Sequence, residues 1–96
     1  MQFRTSSIEI DGETIRLREL SGLAVEHVQS IDADIVQGMA LIALSLCNAD
    51  GTPRYQVDTL ADGLNYLREL PQRVLRLLTA EVEALNDAGM DDARKN

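Results

Sequence analysis

Aromatic residues are scarce in this chain of 96 residues, which has no tryptophan, one phenylalanine and two tyrosines. We therefore expect an aliphatic core of Leu, Ile, Val and Ala, and a chain this short is expected to form one domain. Long apolar runs are also lacking: none reaches the roughly 20 residues of a membrane-spanning helix, and the N-terminus lacks the apolar segment of a secretory signal. The sequence thus predicts a cytoplasmic protein with no membrane partner.

Cysteine and histidine occur once each, as Cys47 and His27, so the chain can form no internal disulfide and offers too few ligands for a zinc site. Cys47 ends an apolar run, where a thiol normally behaves as a small buried hydrophobe. Glycine-rich phosphate loops and Gly-x-Ser-x-Gly nucleophile turns are absent too. The sequence therefore predicts no catalytic residue, no cofactor, no metal and no enzymatic activity. An enzyme subunit whose partner supplies the catalytic groups is the alternative.

Basic residues are outnumbered, with 9 Lys and Arg against 16 Asp and Glu, and the formal charge of −7 repels nucleic-acid phosphates. The nearest approach to a basic cluster, Arg68, Arg73 and Arg76, is not interleaved with aromatic residues and is expected to be a solvated helix face. We therefore predict no nucleic-acid partner. The charge leaves open a second function, a small acidic adaptor or regulator that binds a basic protein partner.

The stretch LCNADGTPRYQ, from Leu46 to Gln56, looks like the start of a calcium loop. In the helix-loop-helix pattern, however, Leu46 takes the place of the first ligand and Val57 that of the twelfth, and neither has a side-chain oxygen. The better interpretation is a turn in which the Asp50 carboxylate accepts a hydrogen bond from its own backbone segment and Gly51 takes a positive φ.

Alternating hydrophobicity near the N-terminus predicts a β-hairpin over 5–20. The Asp11-Gly12 dipeptide in its middle suits a tight primed turn, whose two central residues need positive φ. The aliphatic side chains that share one face of this hairpin are Ile8, Ile10, Ile15 and Leu17. Because a two-stranded ribbon is marginal alone in water, this face must pack on the elements that follow.

Apolar spacing becomes helical after Ser21, which can cap the first helix. We predict helices over about 22–47, 58–69 and 71–87. The first of these is either one helix or two joined near Ile31, because the stretch from Ser30 to Asp32 offers a second cap.

Asp58 is expected to cap the helix over 58–69, and Pro71 to begin the next one. Arg73 is expected to pair with Glu69, four residues before it. Residues 89–96 have no apolar pattern and are predicted to be a flexible tail. The predicted fold class is therefore α+β, mostly α: a single domain over 1–88 with an N-terminal β-hairpin followed by three or four packed helices.

Two apolar stripes, over 39–46 and 74–85, are broader than one small core can cover completely. We expect part of them to bind a partner or a second copy of the chain, which gives a homo-oligomer. The candidate binding residues are Met39, Ile42, Leu75, Leu78, Val82 and Leu85.

Three stretches share a pattern with one known family. They are Ala43-Leu44-Ser45-Leu46-Cys47 with Asp50-Gly51 and Pro53, Leu70-Pro71 with Val74, Leu75, Leu85 and Asn86, and the ribbon end Arg16-Leu17-Arg18-Glu19-Leu20. Over about 8–86 the chain resembles the tail assembly chaperones of long-tailed, siphovirus-type bacteriophages and prophages. That family has no catalytic residues to carry over.

The resemblance implies a protein of the host cytoplasm that binds the tape measure protein through apolar helical surfaces. It implies that the tape measure protein is kept soluble during tail assembly, and that the chaperone is absent from the mature virion. It also implies a frameshifted longer form that recruits the tail tube protein. The codons of Arg94-Lys95-Asn96 can hold the slippery run that such a frameshift needs.

Overall fold

The chain folds into a small sheet followed by helices, and the computed structural model describes the backbone of residues 2–95 and the side chains of residues 2–86. The elements are β1 (Thr5–Ile10), β2 (Glu13–Arg18), α1 (Gly22–Gln29), α2 (Asp34–Ser45), β3 (Leu46–Cys47), α3 (Leu60–Arg68) and α4 (Gln72–Lys95). This confirms the predicted fold class: a hairpin followed by packed helices, α+β and mostly α.

The hairpin turn has the geometry that its sequence predicts. Asp11 and Gly12 both have positive φ, at 54° and 83°. Ile10 pairs with Glu13 across this two-residue turn, and the antiparallel register continues to Thr5 opposite Arg18. This register places Ile8 and Ile15 opposite each other on the face that packs against the helices.

The sheet has a third strand that the sequence did not predict. Leu46 and Cys47, assigned to the end of a helix by their apolar spacing, instead form β3, which pairs antiparallel with β2. The helix ends because the Leu46 backbone turns to an extended ψ of 132°. The strand order is β1-β2-β3. Cys47 also forms an isolated β-bridge to Pro53, so the loop from Asn48 to Thr52 is a short, closed loop at the edge of the sheet.

The region 22–47 contains two helices rather than one. Ser21 caps α1 as predicted, because its hydroxyl accepts a hydrogen bond from the Ala24 N–H at 3.1 Å. The chain leaves α1 at Ser30, and the Ile31 carbonyl accepts a hydrogen bond from the side-chain amide of Gln37. This contact links the first turn of α2 to the segment between the two helices.

The start of α3 differs from the prediction. Asp58 does not cap it; a 3-10 turn, Val57–Thr59, comes first. At the start of this turn the Gln56 N–H donates a hydrogen bond to the Thr59 hydroxyl at 2.8 Å. Arg73 does not pair with Glu69 either, since its guanidinium contacts the Asp11 carboxylate at 2.6 Å. An ion pair to the hairpin turn thus replaces the pair predicted along the chain.

α4 begins directly after Pro71, in agreement with the predicted boundary, and it is longer than predicted. Its backbone is helical to Lys95, beyond the end expected at 87 and through most of the segment 89–96. One glycine costs a helix only about 1 kcal/mol, and Ala, Arg and Lys favour it, so Gly89 does not end it. The flexibility predicted for 89–96 stays a prediction, and Asn96 lies outside the described residues.

The core lies between the inner face of the sheet and the helices. It is aliphatic, as the shortage of aromatic residues predicted, and Leu17, Leu46, Leu67 and Leu78 are fully buried within it. α3 packs closely on α2 because Gly63 has no side chain: a Cβ there would lie 3.0 Å from the Ala43 Cβ and 3.0 Å from the Tyr55 ring.

Candidate partner-binding surface

The Cys47 thiol is buried at the edge of the sheet. Burial raises its pKa, and the nearby Arg18 and Arg16 guanidinium groups lower it only in part. A thiol with a raised pKa is a poor nucleophile. Within the side chains that the structure describes, no group of three or more His, Cys, Asp or Glu residues could hold a metal ion.

The Asn48 to Thr52 loop is a turn closed by its own side chains. The Asp50 carboxylate accepts hydrogen bonds from the Thr52 hydroxyl at 2.6 Å and the Thr52 N–H at 3.0 Å. These two bonds hold the pKa of Asp50 below its usual value, and the bond from the hydroxyl has the larger effect. Gly51 has a φ of 88°, as the turn interpretation predicts. Asp50 is thus a turn residue rather than the ligand of a calcium loop.

The six residues predicted to bind a partner fall into two groups. Ile42, Leu78 and Val82 are buried in the chain's own core, with exposed fractions of 3%, 0% and 4%. Within this fold, their packing role leaves them almost no surface to offer a partner.

The other three predicted residues lie at the margin of the core. Met39, Leu75 and Leu85 are each partly buried and pack against the core cluster. A side chain in this position keeps part of its apolar surface accessible, so these three remain candidates for a partner contact.

The structure also exposes apolar residues that were not among the predicted six. The large apolar side chains most open to solvent are Phe3, Leu23, Val25, Ile35 and Leu77, with Ile35 at 81% and Leu23 at 69% exposed. The sequence carried a partial signal, since Ile35 and Leu23 belong to the helical stripe that begins after Ser21. The apolar pattern alone does not show which of its residues are buried by packing against the rest of the chain.

Ile35, Gly38 and Met39 share one face of α2, here named the α2 ridge, on which Ile35 and Gly38 are exposed and Met39 is partly buried. Residues three and four apart share a helix face, so Ile35 and Met39 stand next to each other with Gly38 beside them. A Cβ at Gly38 would meet no atom within 4 Å. A partner helix can therefore approach the backbone closely between the two large side chains.

A cleft of about 410 Å³ opens between the start of α1 and the segment that follows β3; it is here named the α1 cleft. Its apolar lining includes Leu23, Leu44, Tyr55 and Val57. Apolar residues with a few polar groups at the margin are typical of a site for an apolar side chain.

α4 offers a third exposed apolar position. Leu77 is 51% exposed, and Ala80 and Ala84 lie exposed on the same side of the helix, three and seven residues further on. These three residues are here named the α4 flank. No helix within the described residues is long and apolar enough to cross a membrane.

Comparison with known proteins identifies a solved structure with a similar fold. No protein-family model matches the sequence, and no curated protein matches it. The chain is similar to a solved structure described as "Structure of bacteriophage HK97 tail assembly chaperone", with a TM-score of 0.67 and 24% sequence identity. The match covers 88% of this chain and 83% of that chain. The two proteins share a fold over nearly their whole length.

Proposed function

We propose that this protein is a tail assembly chaperone of a long-tailed bacteriophage or prophage. The observation that carries the proposal is the shared fold with the HK97 tail assembly chaperone over 88% of the chain. The sequence motifs that resemble this family support it independently, because they are features of the sequence and not of the fold. The proposed role is not enzymatic, and its place is the cytoplasm of the host.

The proposed client is the tape measure protein, bound through apolar helical surfaces. Apolar segments of a long helical protein need a matching apolar surface to stay out of water. The α2 ridge, the α1 cleft and the α4 flank supply such surface on a chain whose net charge is −7. Negative charge on the rest of the complex favours its solubility.

The residues proposed to contact the client are Leu23, Ile35, Met39 and Leu77, with Leu75 and Leu85 at the margin. These side chains combine apolar surface with exposure, which the buried Ile42, Leu78 and Val82 lack. The last three support the fold on which the contact surfaces lie.

A frameshifted longer form that recruits the tail tube protein is also part of the proposal. The test is whether the gene contains a slippery run of codons near its stop codon.

A binding assay with the tape measure protein of the same phage or prophage tests the client assignment. Purified wild-type chain is expected to retain the tape measure protein on a column at both about 50 mM and about 1 M salt, because apolar contacts survive screening. Ile35→Glu and Leu77→Glu should each weaken retention. Gln29→Glu, which adds the same charge at an exposed polar position of α1, should not.

The salt dependence separates this proposal from the acidic adaptor. A complex held by the charge of −7 would be lost as salt rises. Loss of retention at high salt, or equal retention by Ile35→Glu and wild type, would contradict binding through the apolar surfaces.

A further inference from the structure

The sheet leaves one face uncovered by helices. Ile8, Ile15 and Leu17 point into the core, so their neighbours along each strand lie on the opposite, outer face. Those neighbours include Thr5 and Ser7 of β1, Arg16 and Arg18 of β2, and Cys47 of β3. A groove of about 570 Å³, lined by these residues together with Phe3 and the Asn48 to Gly51 loop, crosses this outer face.

The groove is basic in an otherwise acidic protein. Among the described residues, Arg16 and Arg18 form no ion pair, whereas Arg4 pairs with Glu19 and Arg73 with Asp11. The Arg18 guanidinium lies 4.2 Å from the centre of the Phe3 ring, and its buried Nε has no hydrogen-bond acceptor. A buried donor without an acceptor is costly, and a carboxylate satisfies it best.

The groove holds one carboxylate of its own. Asp50 lines it, and its oxygen already accepts the two hydrogen bonds from Thr52. In the described part of the chain, Asp50 forms no ion pair with Arg16 or Arg18 within 4 Å.

The outer edge of β1 is unpaired. In the strand order β1-β2-β3, β1 has a neighbour on one side only. Ile10 and Glu13 flank the two-residue turn as a hydrogen-bonded pair, and the Glu19 N–H donates to the Arg4 carbonyl at 2.9 Å at the other end. Since bonded pairs alternate along an antiparallel ladder, the N–H and C=O groups of Thr5, Ser7 and Glu9 point away from β2.

We propose that this edge and the groove beside it bind an extended acidic segment of a partner protein. The segment adds as a fourth strand alongside Thr5–Ile10 and places Asp or Glu side chains toward Arg16 and Arg18. The side chains of Thr5 and Ser7 are short, so the two arginines reach across them to a strand about 10 Å from β2, two strand spacings away. Main-chain hydrogen bonds supply affinity in this mode, and side chains supply specificity.

The overall charge of −7 selects the kind of acidic partner. A long polyanion such as nucleic acid extends over more of the repulsive field of the whole protein, whereas a short segment carries few charges and places them beside the two arginines. Arg18 also lines the α1 cleft, whereas Arg16 and the free edge of β1 are not part of the apolar surfaces proposed for the client. The inference rests on the sheet edge and its two arginines, so it does not depend on the proposed function.

Synthetic peptides of about eight residues, a typical strand length, test the proposal with the full chain. One peptide alternates Glu with Thr or Val; a second has Lys in place of Glu. We expect the acidic peptide to bind in a fluorescence anisotropy titration and the basic one not to. Arg16→Glu should weaken binding by about tenfold or more, and Arg76→Glu, a charge reversal on an exposed face of α4, should not.

Ser7→Pro tests strand addition itself. Proline is tolerated where a strand N–H faces solvent, so the variant is expected to fold, which circular dichroism checks, but it lacks the N–H that the added strand needs. It should abolish peptide binding, whereas Ser7→Ala should retain it.

The proposal is overturned if the acidic peptide does not bind at about 1 mM, the weakest affinity that the assay resolves. It is also overturned if Arg16→Glu binds like Arg76→Glu, or Ser7→Pro like Ser7→Ala. A single-stranded oligonucleotide that binds as tightly as the acidic peptide would identify a phosphate site and overturn it as well.

Discussion

The side-chain amide of Asn86 joins the last helix to the end of the hairpin. Its Oδ1 accepts a hydrogen bond from the Leu20 N–H at 2.9 Å, and its Nδ2–H donates to the Val82 carbonyl at 2.8 Å. Both residues belong to the stretches that resemble the chaperone family, although they lie far apart in sequence. The contact fixes α4 against the chain between β2 and α1.

Asn86→Ala removes both of these hydrogen bonds and leaves the partly buried Leu20 N–H without an acceptor. We expect the free energy of unfolding to fall by about 1 to 3 kcal/mol, measured by urea denaturation. Asn65→Ala is the matched control, since the exposed Asn65 side chain only accepts a hydrogen bond from Arg68. Equal stability of the two variants would mean that the Leu20 contact contributes nothing.

Leu77 and Leu78 are neighbours in the sequence with opposite environments, 51% and 0% exposed. Leu78→Ala should lower the free energy of unfolding by about 2 to 5 kcal/mol, because it leaves a cavity in the core. Leu77→Ala should change it by less than about 0.5 kcal/mol. A similar loss in both variants would contradict the assignment of Leu78 to the core and Leu77 to the surface.

Two helical glycines are predicted to respond in opposite directions to alanine. Gly63→Ala places a methyl group 3.0 Å from both the Ala43 Cβ and the Tyr55 ring, and should destabilise the protein by about 1 to 3 kcal/mol. Gly38→Ala meets no atom within 4 Å and should stabilise it by about 0.5 to 1 kcal/mol. Thermal unfolding of both variants is the measurement, and a stabilising Gly63→Ala would show that α2 and α3 are not in close contact.

The Asp50 turn is predicted to depend on pH. Its pKa is lowered from the ordinary value of 3.8, first by the Thr52 hydroxyl and then by the Thr52 N–H. A carboxyl group whose pKa is lower in the folded state stabilises that state at pH values above its pKa in the unfolded state. This contribution is lost as the pH falls through its pKa in the folded state. Thr52→Val should raise the Asp50 pKa in a carboxyl NMR titration, while Thr79→Val, whose hydroxyl donates to the Leu75 carbonyl, should leave it unchanged.

Local sequence signals predicted the elements whose geometry is decided locally. Asp11-Gly12 specified its primed turn, Ser21 its cap, and Pro71 the start of the last helix. These features depend on the φ that a residue can adopt or on a side chain that bonds its own backbone segment. Such requirements act over a few residues, so the local sequence is enough to predict them.

Long-range contacts account for what the sequence did not predict. β3 exists because Leu46 pairs with Leu17, far away in the chain, and the apolar spacing before it continued the helical pattern without a break. Arg73 pairs with Asp11 and not with Glu69 because the fold brings the hairpin turn to the start of α4. This pair too joins residues that are far apart in the sequence.

Exposure within an apolar stripe depends on tertiary packing too. Ile42, Leu78 and Val82 have the same helical spacing as their exposed neighbours, and only the placement of the sheet and of the other helices decides which are covered. The sequence therefore predicted the apolar stripes that contain candidate binding residues. Only the structure shows that Ile35 and Leu77 are exposed.

Co-expression with the tape measure protein tests the central claim most directly, through the soluble fraction of that protein. The wild-type chain and Gln29→Glu should raise this fraction well above its value when the tape measure protein is expressed alone. A double variant, Ile35→Glu with Leu77→Glu, should fold and yet fail to raise it. If the soluble fraction is the same with the wild-type chain as without it, the protein does not act as a chaperone of the tape measure protein.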